Sequence, residues 1–114
     1  MEPKTTNLSF GDIVTPLKLG KRVSREGWNG EGLFVFQQVE STILPSVIPN
    51  MQSLPQSVKD EFLRRFTAME CQNSNENKCI YYRNQLAIVY PDNNIYGWTP
   101  SSSDVLSNDW CILD

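Results

Sequence analysis

The stretch Arg25-Glu26-Gly27-Trp28-Asn29-Gly30, followed by the apolar run Leu33-Phe34-Val35-Phe36, organises the first half of this chain. Lys21 to Arg25 reads as a short strand entering a tight turn. Leu33 to Val39 reads as the strand that leaves it, apolar on both faces at first and half polar later. The turn holds an indole between two glycines with Asn29 beside it. Glycine accepts positive φ and close backbone approach, and Asn is the next most tolerant residue. A turn that presents Trp28 is costly unless the ring packs on something. The protein's own core, a partner subunit and a flat ligand such as a nucleobase are the three candidates.

Working outward, residues 8 to 20 predict a helix. Ser9 is placed to cap it and Asp12 falls in its first turn, with Phe10, Ile13, Val14 and Leu17 on one face and Gly20 as the stop. Pro16 conflicts with that pattern, and a kink or early break is expected there. Ser41 to Pro55 carries Pro45, Pro49 and Pro55 and reads as an irregular loop. A second helix is expected from about Val58 to Met69, capped by Ser57, with Val58, Phe62, Phe66 and Met69 as its apolar stripe. Arg64 and Arg65 read as complementing the dipole at its C-terminal end. Residues 72 to 78 read as a polar loop. Ile80 to Arg83 and Leu86 to Tyr90 read as strands, and Pro91-Asp92-Asn93-Asn94 as a turn into Ile95 to Thr99. Ser101-Ser102-Ser103-Asp104 reads as the cap of a short helix reaching Asn108, and Trp110 to Leu113 as a last strand. The order predicts an α+β fold: a small, mainly antiparallel sheet with an N-terminal helix, an inserted helix and a short C-terminal helix.

At 114 residues, one domain is expected. The net charge of −3, with no basic face, argues against a nucleic-acid polymer as partner. Three cysteines (Cys71, Cys79 and Cys111) in odd number and without C-x-x-C spacing make a poor disulfide framework and a poor metal site, so reduced thiols are expected. The polar N-terminus and the lack of any long apolar run point to a soluble, intracellular protein with no membrane partner. The chain has no histidine, no G-x-S-x-G pattern and no Gly-rich phosphate loop. No catalytic residue, metal ligand or cofactor is therefore assigned, and an enzyme is not expected.

A small-molecule site has more support. Trp28 and Trp98, each preceded by glycine, can sandwich a base. The Ser101–Ser103 cap offers hydroxyls and helix N-terminal amides to an anion. Arg25, with Lys21 and Arg22 nearby, can reach a phosphate, while Asn29 and Asp104 can read ribose or base edges. Against this stand plainer readings. Trp110 is assigned to the core, the serine run is most often only a cap, and the cations are most often solvated strand charges.

Taken together, Phe10-Gly11-Asp12, Leu17-Lys18-Leu19-Gly20-Lys21-Arg22-Val23, Gly27-Trp28-Asn29-Gly30, Leu33-Phe34, Gly97-Trp98-Thr99-Pro100-Ser101 and Asp104 to Trp110 resemble the Thoeris anti-defence protein 2 family of phages and prophages. The resemblance covers residues 8–39 and 80–114. It implies a non-catalytic sponge in the cytoplasm of the bacterial host, which sequesters glycocyclic ADP-ribose, a cyclic ADP-ribose-type immune signal. In some relatives the ligand is a cyclic dinucleotide. It implies a homotetramer, a dimer of dimers, with pockets at subunit interfaces. The ligand-binding set expected on this combined reading is Arg25, Trp28, Asn29, Gly30, Leu33, Trp98, Pro100, Ser101 and Asp104. The alternatives are sequestration of cyclic dinucleotides of another defence system and hydrolysis of the same signal. Two features depart from the family pattern: Pro16 in the first helix, and residues 41–79, read as an insertion within a single nucleotide-sequestering domain spanning 1–114.

Overall fold

The computed structural model describes residues 4–28, 31–71 and 78–113. The chain divides into two compact units, Met1–Val39 with Asn84–Asp114, and Glu40–Arg83.

In the first unit, helix α1 (Phe10–Lys18) is followed by β1 (Val23–Arg25), a 3-10 turn (Glu26–Trp28) and β2 (Phe34–Gln38). After the second unit come β5 (Gln85–Val89), β6 (Ile95–Gly97), α3 (Ser102–Leu106) and β7 (Trp110–Ile112). The five strands form one sheet in the order β6-β5-β2-β1-β7, and every pairing is antiparallel. This is the expected α+β class. Register places Val23 opposite both Val35 and Ile112, and Val35 opposite Ile88. Directly opposed residues share a face of the pleat. That row joins Ile13 and Leu17 of α1, with Leu8 and Trp110, in the core.

Local chemistry explains α1. Ser9 accepts from the Asp12 N–H at 3.2 Å, and the Asp12 carboxylate accepts from the Ser9 N–H at 3.0 Å. This reciprocal box fixes the helix start two residues later than the periodicity implied. Pro16 does not break the helix, which runs on to Lys18. It sits near the C-terminal end, where its ring removes one N–H from the ladder. Its own carbonyl still accepts from Leu19 and Lys21, closing the end of the helix. Gly20 takes a φ of 90°, which stops the chain from continuing as a helix.

The second unit begins where β2 ends and closes where β5 begins. Gln38 pairs directly with Gln85, so the chain leaves and returns at neighbouring positions of one sheet. The unit contains β3 (Ser41–Ile43), a 3-10 helix (Pro45–Asn50), α2 (Gln56–Cys71) and β4 (Ile80–Tyr82). β3 and β4 pair antiparallel, Thr42 opposite Tyr81. The segment expected to be an irregular loop therefore holds a strand and a 3-10 helix. Pro45 stands at the helix's first position, where a missing N–H costs little, and Pro49 lies inside the helix. Ile48, Phe66 and Ile80 form this unit's core. Phe62 and Met69 pack against them, as the apolar stripe predicted. Ser57 is not the cap of α2. The Val58 and Lys59 N–H groups bond to the Pro55 carbonyl, which places the start at Gln56. Arg64 and Arg65 both engage Glu61 rather than the helix end. Arg64, then Arg65, holds the Glu61 carboxyl down at about 2.

Among the described residues no helix is long and apolar enough to cross a membrane. Cys79 and Cys111 are free thiols.

Ile13 has no solvent exposure and lies in the first core. Ile13→Ala is expected to lower the unfolding free energy by about 2–5 kcal/mol. Removing the cap with Ser9→Ala is expected to cost about 1 kcal/mol. Urea denaturation of both variants measures the order of these two losses.

Candidate functional site

The site grows from the last strand. Trp110 begins β7 opposite Arg25 of β1, and its ring is wholly buried. Leu8 and Trp110 exchange backbone hydrogen bonds at 3.0 and 3.1 Å, tying the N-terminal segment to the strand. The indole Nε1–H donates to the Asp104 carbonyl at 2.8 Å, so the buried ring leaves no donor unsatisfied.

Three further rings pack on this one. Trp28 meets Trp110 edge-on, with centroids 5.4 Å apart and planes at 79°. Trp98 does the same at 6.1 Å and 75°. Phe10 of α1 touches Trp110 at 5.7 Å and Trp98 at 6.5 Å. The two tryptophans expected to present platforms therefore flank the third, each half-buried. Edge-to-face geometry suits ring quadrupoles.

A charge cluster lies beside the rings. The Arg25 guanidinium donates to both oxygens of Asp109, at 2.9 Å from Nε and 3.4 Å from Nη2, and from Nη1 to Asp104 Oδ1 at 2.9 Å. Asp109 Oδ2 also accepts the Gly27 backbone N–H at 2.9 Å. A Cβ on Gly27 would stand 2.8 Å from that oxygen. Glycine lets the carboxylate approach the turn this closely; any side chain here would make the Asp109 carboxylate shift. Of the two uses of glycine expected for this turn, positive φ and close approach, Gly27 serves the second, since it is not among the positive-φ residues. Gly97, before Trp98, has open space where its Cβ would be.

Asp104 is shared. Its Oδ2 accepts from the Ser101 N–H and hydroxyl, both at 2.9 Å, while Ser101 Oγ accepts the Asp104 N–H at 3.1 Å. The expected cap is thus a full capping box on a helix ending at Leu106, short of the anticipated Asn108. The hydroxyl proposed for an anion is engaged within the box, and a carboxylate already stands at this helix end. Arg25 likewise serves as a brace: its three donor nitrogens all face carboxylates. Arg25 pulls the Asp109 carboxyl below its ordinary value, opposed by burial and helped by the Gly27 N–H. For Asp104 burial is the largest influence and pushes upward. The Ser101 hydrogen bonds and Arg25 together outweigh it, so the net shift is downward.

Of the expected site residues, Arg25, Trp28, Trp98, Ser101 and Asp104 are linked through these rings, carboxylates and the Trp110 indole. Leu33 packs against the same core, and its carbonyl accepts from the Ser24 hydroxyl at 2.8 Å. Pro100 is half-buried just before the cap. Asn29 and Gly30 lie outside the described residues. Phe10 and Asp109 were missed. Phe10 was assigned only to a helix face. Asp109 carries no local signal, because Arg25, from a distant strand, is what bridges it to Asp104.

Comparison with known proteins places the chain in a family. Residues 8–113 match the model of the Thoeris anti-defense 2-like domain. The chain is 31% identical over 108 residues to the Thoeris anti-defense 2 protein of Bacillus phage SP01, covering 95% of this chain and 97% of that one. An α+β chain with this sequence span therefore falls in an anti-defence class. It belongs to the Thoeris anti-defense 2-like family.

Asp109 and Asp104 titrate below their unfolded values, so their stabilisation is complete above the ordinary carboxylate value of 3.8 and is lost as pH falls through the lower folded values. Asp109→Asn is expected to cost about 1.5–3 kcal/mol at pH 7 and to flatten the loss of stability below pH 4. Denaturant titrations at a series of pH values measure both effects. An unchanged acid limb in the variant would show that Asp109 does not act through its charge.

Proposed function

We propose that this chain is a non-catalytic sponge that sequesters a cyclic ADP-ribose-type signal, glycocyclic ADP-ribose, and so inhibits bacterial Thoeris defence. The observation that carries this reading is the cluster in which Trp28 and Trp98 flank the buried Trp110 beside a pinned turn. Rings held in this way bind a flat base without a large ordering cost, at about 1–3 kcal/mol per stacked base. Family membership supports the anti-defence role. Holding the signal requires affinity and slow release, with no bond broken.

In this reading Trp28 and Trp98 stack on the ligand. Asn29, Gly30, Leu33 and Pro100 shape the pocket, and Ser101 contributes polar contacts. Arg25 and Asp104 hold the turn and the cap in place. An anionic pyrophosphate is drawn to Arg25 only in competition with Asp104 and Asp109, so most of the affinity comes from stacking. The protein works as a homo-oligomer, a tetramer built as a dimer of dimers, in the cytoplasm of the bacterial host.

The test is capture and release. The protein is incubated with glycocyclic ADP-ribose, the filtrate is assayed for depletion, and the protein is then heat-denatured and the released nucleotide analysed. Depletion followed by recovery of intact ligand is expected. A cleaved product would make the chain a hydrolase. No depletion of this signal, with depletion of a cyclic dinucleotide, would transfer the role to another defence system. In calorimetry Trp28→Ala is expected to weaken capture by about tenfold or more. Wild-type affinity in a folded Trp28→Ala would remove that ring from the site.

A further inference from the structure

Residues 25 to 28 are held one after another by Asp109 and Trp110. The Arg25 side chain donates from Nε to Asp109 Oδ1 at 2.9 Å and from Nη2 to Oδ2 at 3.4 Å. The Glu26 N–H donates to the Asp109 backbone carbonyl at 2.9 Å. The Gly27 N–H donates to Asp109 Oδ2, also at 2.9 Å. The Trp28 ring then meets the ring of Trp110, the next residue after Asp109. Asp109 thus takes in turn the three residues that precede Trp28, and Trp110 takes Trp28 itself. The turn supplies little of its own. It is a single 3-10 turn in which Glu26 and Gly27 are exposed and no residue is fully buried. Hydrogen-bond geometry in such a turn is poorer than in an α-helix.

We propose that Asp109 is a positioning residue for ligand capture: without touching the ligand, it fixes the direction in which Trp28 offers its ring. The inference rests on the sequestering function proposed above and adds a residue that sets how tightly the ligand is held. Three observations select Asp109. Its carboxylate serves Arg25 and Gly27 together, and only acceptor oxygens face those donors. An amide of the same shape has one such oxygen, so its NH₂ group would face one of the two, donor against donor. The contact at Gly27 is close, because a Cβ there would stand 2.8 Å from Oδ2. Arg25 passes the restraint on, since its Nη1 donates to Asp104 Oδ1 at 2.9 Å and so ties the turn to the cap of α3. A ring fixed before the ligand arrives binds with a small ordering cost, and a loosened ring meets that cost on binding.

The first test uses ligand-free protein and the ¹⁵N relaxation of its indole N–H groups, with the Trp28 signal assigned by its loss in Trp28→Phe. In Asp109→Asn the Trp28 indole is expected to gain fast motion, while that of Trp110, bonded to the Asp104 carbonyl, stays ordered. Gly27→Ala, which pushes the carboxylate away without removing it, is expected to loosen Trp28 in the same direction. It keeps the comparison open should Asp109→Asn fail to fold. The second test is a double-mutant cycle in calorimetry with glycocyclic ADP-ribose. Asp109→Asn is expected to weaken capture by about tenfold when Trp28 is present and by less than about twofold in a Trp28→Ala background. A Trp28 indole that stays ordered in both variants would overturn the proposal. So would an Asp109→Asn loss of equal size with and without the Trp28 ring, because Asp109 would then contact the ligand directly. A wild type that captures no nucleotide would remove the sponge reading and not the clamp, which the ligand-free relaxation data decide on their own.

Discussion

The buried indole of Trp110 is the constraint on which the rest of the first unit depends. It is the first residue of the edge strand β7, and its backbone holds the N-terminal segment through Leu8. Its N–H holds α3 through the Asp104 carbonyl, and its ring carries Phe10, Trp28 and Trp98. A buried ring of this size dominates local packing. Elements that are far apart in the chain are brought into register by it. The candidate site is therefore built on the core itself and does not sit on a free loop.

Arg25 adds a second, polar restraint at the same place. Its bidentate approach to Asp109, together with the Gly27 N–H on the same carboxylate, fixes where β1 ends and the turn begins. Its bond to Asp104 joins that turn to the cap of α3. The guanidinium and both carboxylates are partly screened from water, a setting in which charge-assisted hydrogen bonds add geometric specificity. Trp28 is thereby held from two sides, by Trp110 through its ring and by Asp109 through the backbone before it. A stacking platform benefits from such restraint, because the ordering cost is met in folding and not in binding.

Much of the fold is legible in the sequence where the signal is local. Ser9 with Asp12, and Ser101 with Asp104, three residues apart in each pair, announce two helix starts, and both boxes form. The run Phe34-Val35-Phe36 declares a strand, and Phe62 and Phe66 a buried helical stripe. Signals fail where the partner is distant. Ser41-Thr42-Ile43 becomes a strand because Ile80-Tyr81-Tyr82 pairs with it, and nothing in three residues beside a proline announces that. Pro16 looks like a break, yet near the end of α1 it removes one bond from a ladder that is about to finish. The candidate site is legible in its rings and opaque in its charges. Trp28 and Trp98 stand out by their glycine neighbours, and Gly27 has a reason the turn alone does not supply. Arg25 and Asp109 are 84 residues apart, and only the pairing of β1 with β7 shows that they belong together.

The central claim is that Trp28 and Trp98 stack on the base of a captured cyclic nucleotide while Trp110 supports them from within. Intermolecular nuclear Overhauser effects between glycocyclic ADP-ribose and the protein test it most directly. The account predicts cross-peaks from the adenine protons to the ring protons of Trp28 and Trp98, and none to those of Trp110. Cross-peaks to other residues with both outer indoles silent would contradict it.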